Sequence, residues 1–127
     1  MRLFPVVLLA TMLPALADDP AGAARLVQEG MEVYNRGDYD RARSLADEAI
    51  RLDPRCAQAY DLRASARVFD GELLAALADY GSALEILPDD PMILVRRSHL
   101  YLVMDRYRLA LEDAEHALRV NPHPMFR

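Results

Sequence analysis

Pro54, Pro88 and Pro122 stand 34 residues apart, each at the end of an amphipathic stretch such as "RGDYDRARSLADEAIRLDP". A proline has no amide donor and its ring collides with the preceding turn, so each of these positions stops a helix. Stops at one fixed interval divide the chain into three copies of one unit, 23–56, 57–90 and 91–124. Small residues then fall into register. The eighth position holds Gly30, Ala64 and Ser98, the twentieth Ala42, Ala76 and Ala110, and the twenty-seventh Ala49, Ala83 and Ala117. Small side chains at fixed phases let helix backbones approach more closely than the roughly 8–10 Å usual for larger ones.

Each copy reads as a helix, a tight turn and a second, antiparallel helix. Gly37 and Gly71 stand at the turn, where a left-handed backbone ends the first helix. Asp105 takes that place in the third copy, and aspartate tolerates the conformation better than most residues. Tyr39, Leu73 and Tyr107 follow two residues later and are expected to plug the turn. Ile50, Leu84 and Leu118, with Leu52, Ile86 and Val120, supply the apolar face of the second helix. Asp19-Pro20 and Asp90-Pro91 each offer a capping acceptor followed by a proline at the first helical position.

The pattern resembles the tetratricopeptide repeat, a 34-residue helix-turn-helix. The resemblance covers residues 23–124 and rests on Gly37-Asp38-Tyr39, the three small-residue phases and the recurring proline. It implies an all-α, right-handed α-solenoid of three repeats. It also implies an interaction module with no enzymatic activity and no cofactor.

The flanks read differently. Residues 1–17, "MRLFPVVLLATMLPALA", combine one positive charge, a short apolar run and a small-residue A-x-A pattern before "DD". That is the arrangement of a secretory signal peptide. The run is too short for a bilayer core, which takes about 20 residues, so no stable membrane insertion is expected after cleavage. These features predict a bacterial periplasmic or secreted protein, with residues 18–22 as a lead-in and 125–127 as a tail. All 15 basic residues are arginine, and the net charge is −5. An acidic chain with scattered arginines has no electrostatic footprint for nucleic acid. Cys56 is the single cysteine, so no intramolecular disulfide forms.

The copies depart from the family pattern at two linked places. Arg63 and Arg97 occupy the seventh position, usually apolar, and Asp79 and Asp113 occupy the twenty-third. Both exchanges are absent from the first copy, which has Glu29 and Leu45. Their co-occurrence predicts ion pairs within a repeat, Arg63 with Asp79 and Arg97 with Asp113, or a crossed pair of Asp79 with Arg97. Arg67 also replaces a bulky residue at the eleventh position.

No group of residues points to chemistry. His99, His116 and His123 show no ligand spacing, and the serines have no activating histidine at a recognisable distance. The expectation is a partner protein, bound as a peptide segment or a helix in the concave groove that the resemblance implies. Its candidate lining is Val27, Gln28 and Met31 from the first copy, Gln58, Asp61, Leu62 and Ser65 from the second, and Met92, Val95, Arg96 and His99 from the third. Family members that clamp acidic chaperone tails need basic and amide residues at places held here by Val27, Met31, Leu62, Met92 and Arg96. Only Arg96 matches, so that clamp is not expected. Val68, Leu102 and Val103 are expected to pack between repeats. The tail "HPMFR" is too short to cover the last helix around Leu111, Ala114 and Leu118. Homo-association, or docking into a larger envelope complex, through that end is the alternative.

Overall fold

The structure, a computed structural model, describes residues 18–122. The expected signal peptide at 1–17, His123, Pro124 and the expected tail lie outside these residues. Six α-helices occupy the described span: α1 Pro20–Asn35, α2 Tyr39–Leu52, α3 Ala57–Phe69, α4 Leu73–Ile86, α5 Pro91–Val103 and α6 Tyr107–Val120. They pack as three antiparallel pairs, α1 with α2, α3 with α4 and α5 with α6. The odd-numbered helices touch one another from pair to pair, whereas the even-numbered helices do not. One layer of the solenoid is therefore the row α1, α3, α5.

Local chemistry places the helix ends. Asp19 accepts from the Gly22 amide at 2.8 Å, and Asp90 accepts from Met92 and Ile93 at 3.0 and 3.2 Å. Both precede a proline at the first helical turn. Asp38 caps α2 through the Arg41 amide at 3.2 Å. The first helix of every pair ends in one hydrogen-bond pattern. In the first turn, Asp38 donates to Val33 at 3.0 Å and Gly37 to Tyr34 at 2.9 Å. Glu72 and Gly71 repeat this onto Arg67 and Val68, and Arg106 and Asp105 onto Tyr101 and Leu102. This Schellman closure requires a left-handed residue, and Gly37, Gly71 and Asp105 have φ of 89°, 77° and 58°.

The core is built largely of alanine. All nine residues at the three small-residue phases are buried. Gly30 shows why the eighth position stays small: a Cβ there would stand 2.5 Å from Leu62 Cδ2, so Leu62 fills the space glycine leaves. Leu94 and Leu100 are the only large side chains to be fully buried among the described residues. Two expectations fail on exposure. Tyr107 is 64% exposed and plugs nothing. Leu102 and Val103, at 47% and 61%, lie at the surface rather than between repeats, and Val103 borders a hollow on the row α1, α3, α5. Val68 does pack against the core.

The ion pairs form within repeats. Arg63 grips Asp79 through Nε and Nη2 at 3.0 and 2.8 Å, and Arg97 grips Asp113 in the same way at 2.7 and 2.8 Å. Both aspartates are buried. Arg67 adds a third bond to Asp79 at 2.8 Å, while Arg63 Nη1 reaches Asp47 on α2 at 3.0 Å and so ties the first repeat to the second. The crossed pair does not form, since both Asp79 oxygens are taken by Arg63 and Arg67. Hydrogen bonding to the aspartates holds the Arg63 and Arg97 guanidiniums charged well beyond the ordinary range.

Candidate functional site

The helical row α1, α3, α5 carries two adjoining hollows. One, of about 200 Å³, is lined by Met31, Tyr34, Asn35, Gln58, Asp61, Leu62, Ser65 and Arg96. The other, about 180 Å³, is reached past Tyr34, Ser65 and Arg96, which border both, and continues along Phe69, Tyr80 and His99. A groove thus runs over three helices, with polar atoms at its centre and apolar surface toward its ends. Exposed Met31 lies at one end, and exposed Phe69 and Val103 at the other.

Helix periodicity explains this lining. Met31, Ser65 and His99 share the ninth position of the repeat, and Leu62 and Arg96 share the sixth. Residues one repeat apart stand side by side on neighbouring helices. At the aromatic end, the Tyr39 and Phe69 rings stack with centroids 4.0 Å apart, and Tyr34 meets both edge-on at 5.1 and 5.9 Å. That cluster joins the first repeat to the second and fixes the wall of the groove. Tyr80 reaches in from α4 and shares a 3.1 Å hydrogen bond with Ser65.

The polar centre is an ion pair between repeats. Arg96 Nη1 donates to Asp61 Oδ2 at 2.7 Å. Burial pushes the Asp61 carboxyl up to about 6, with Arg96 offsetting part of the effect and Asp90 adding to it. Burial likewise pushes Tyr80 up to about 12 and raises Tyr34. Both tyrosines stay neutral near pH 7, and Tyr80 serves as a hydrogen-bonding group toward Ser65.

Of the eleven expected lining residues, the structure gathers Met31, Gln58, Asp61, Leu62, Ser65, Arg96 and His99 around these two hollows. Val27 is instead buried against Ala23, Ala49 and Ala59, because α3 packs over it. Gln28 and Met92 are exposed but border neither hollow. Val95 faces the far end. There, a hollow of about 260 Å³ is lined by Val95, Ser98, His99, Ala114, Ala117 and Leu118. Sequence reasoning missed two lining residues of the second hollow, the buried Leu100 on α5 and, more consequentially, Tyr80. Tyr80 lies on a second helix, whereas the repeat pattern assigns the groove to first helices. Its only signal was size: Tyr80 stands where the other copies have Ala46 and Ala114.

Among the described residues, no group of three or more histidine, cysteine or acidic side chains could hold a metal ion. No described helix is long and apolar enough to cross a membrane.

No family model matches the chain. It is 28% identical over 118 residues to the mitochondrial import receptor subunit TOM34 of Rattus norvegicus, covering 87% of this chain and 37% of that protein. It is 27% identical over 105 residues to the Hsp70-Hsp90 organizing protein of Triticum aestivum, covering 83% and 18%. With DnaJ homolog subfamily C member 3 of Gallus gallus it shares 25% over 97 residues, covering 76% and 19%. The chain therefore spans well under half the length of these relatives. They correct the expectation of a bacterial periplasmic or secreted protein: all three are eukaryotic, and their names attach them to mitochondrial import or to chaperones. An apolar run followed by small residues is a compositional signal that carries no organism with it, so it could not by itself place the chain in a bacterium.

Among solved structures, the first TPR of Spaghetti (RPAP3) bound to HSP90 peptide SRMEEVD superposes with a TM-score of 0.80 at 22% identity, covering 85% of this chain and 86% of that one. The Arabidopsis OM64 TPR domain gives 0.75 at 26% identity, covering 80% and 84%. The fold of this chain is accordingly the tetratricopeptide-repeat solenoid, an architecture that serves as a non-catalytic protein–protein interaction module.

Proposed function

We propose that this chain is an adaptor or assembly factor that holds a peptide segment or a helix of another protein along α1, α3 and α5. The observation that carries the reading is the continuity of the two hollows through Tyr34, Ser65 and Arg96. Adaptable methionine and aromatic surface suits an apolar ligand face, and a few central polar groups fix its register. The neighbour that holds an HSP90 peptide supports peptide binding on this architecture. Binding an acidic tail in the same manner is not part of the proposal: Val27 and Leu62, at two of the positions that would hold it, are buried and apolar.

Photo-crosslinking in cells tests the reading, with probes at His99 in the groove, Leu111 on the end face and Glu48 on α2. A discrete adduct at His99 and none at Glu48 is expected. An adduct at Leu111 alone would replace the groove with a second reading, docking through the end of the solenoid. That reading draws on the end hollow and on Leu111 and Leu118, which are 58% and 52% exposed.

A further inference from the structure

Arg96 is the one permanently charged cation among the side chains that line the groove hollows. Any anionic group on a ligand would have to be received there. The position is already taken. Asp61 accepts from Arg96 at 2.7 Å, and the Asp61 side chain is only 17% exposed, so the carboxylate sits beneath the guanidinium rather than beside it in water. Its second oxygen, Oδ1, is buried without a hydrogen-bond partner. Arg96 itself is 39% exposed and faces the groove.

A ligand carboxylate therefore meets a cation whose charge is cancelled from within. To gain Arg96 it must displace a competitor held by the fold, or share the cation and leave two anions around one positive charge. Like charges that close cost several kcal/mol in partly desolvated surroundings.

We propose that Asp61 is the specificity residue of this groove: it occupies Arg96 internally, so that a peptide carboxylate is accepted only when Asp61 is neutralised. The proposal rests on the groove being the binding surface. It makes anion recognition depend on pH. The titratable and charged groups facing Asp61 are Tyr34 from α1, Tyr80 from α4, and Asp90 and Arg96 at α5. With its carboxyl near 6, Asp61 changes from mostly ionised at pH 7.5 to mostly neutral at pH 5.5. Peptide carboxylates, which titrate around 4, keep their charge over that interval.

The test is an NMR titration of the full chain with the peptide SRMEEVD as probe. Imidazoles gain charge over the same pH range, so every arm carries His99→Gln. At pH 7.5 the Asp61→Asn protein is expected to bind the peptide roughly ten-fold or more tightly than its Asp61 parent, the scale of one charge-assisted hydrogen bond. Lowering the pH to 5.5 is expected to tighten binding by the parent and to leave Asp61→Asn unchanged. Adding Arg96→Ala should remove both gains. Asp61→Ser serves as a second neutral variant should Asp61→Asn fail to give a folded spectrum. Equal affinity of folded parent and neutral variant at pH 7.5 overturns the proposal, as does undetectable binding to both neutral variants. A pH response that survives Asp61→Asn also overturns it. Crosslinking at His99 reads the groove separately: an adduct there alongside any of these results removes the gate and leaves the binding surface.

Discussion

Asp61 and the Arg97–Asp113 pair bear on stability in opposite senses. For Asp61, the folded value of about 6 lies above the ordinary 3.8. Between the two, the folded chain holds a proton that the unfolded chain has lost, so this group favours folding most at low pH. Its contribution is lost as the pH rises through 6, on the order of 2–3 kcal/mol in total. Thermal melts at pH 5 and pH 7 should show wild type losing stability relative to Asp61→Asn; parallel curves would contradict the assignment. Arg97 works the other way. Replacing it with alanine strands Asp113, which is 6% exposed and has no other partner among the described residues. The expected cost is about 3–5 kcal/mol, read from urea unfolding, and an unchanged midpoint would mean that the pair is solvated. The paired exchange at positions seven and twenty-three announced these ion pairs in the sequence. Asp61–Arg96 was not announced, because its partners occupy different phases and meet only through the stacking of α3 on α5.

The three helix pairs share one turn, and the third makes it with a less suitable residue. Asp105 sits at φ 58° where Gly37 and Gly71 sit in the other two. A left-handed backbone costs an ordinary L-residue roughly 1–2 kcal/mol, and the exposed Tyr107 hydroxyl bond to Asp105 returns little of it. Asp105→Gly is expected to raise stability by about 1 kcal/mol, with a melting temperature several degrees higher. The reverse exchange, Gly71→Ala, should lower it by a similar amount. Helix positions and turns were readable in advance because caps, prolines and left-handed residues act within a few residues of one another. The identity of the turn plug was not. Whether Tyr39 packs and Tyr107 does not depends on whether Phe69 of the next repeat arrives beside it, and no equivalent element follows α6 among the described residues.

At the scale of the whole molecule, the apolar end face sets a separate expectation. The surfaces equivalent to the hollow at Val95, Ala114 and Leu118 in the first two pairs are covered by α3 and α5. Leu111 and Leu118 stand exposed, so if the second reading holds and a second copy is what docks there, the double variant Leu111→Glu/Leu118→Glu abolishes concentration-dependent association in sedimentation while leaving the melting temperature within a degree or two. A large loss of stability would show instead that these side chains are covered within the chain itself.

The sequence by itself determined the repeat length, the helix-turn-helix unit, the small-residue contacts and which arginines and aspartates pair, while the structure decided that they pair within a repeat. Each depends on spacing along one chain and on interactions that recur at a fixed phase. Only the tertiary structure decided which face residues line a groove and which are buried under the next repeat: Leu62 borders a hollow, whereas Val27 lies beneath α3. It alone placed Tyr80 beside Ser65 and laid Asp61 beneath Arg96. Those outcomes depend on the rotation and separation between successive repeats, which the side-chain volumes of both partners set together, and no single copy of the unit carries that information.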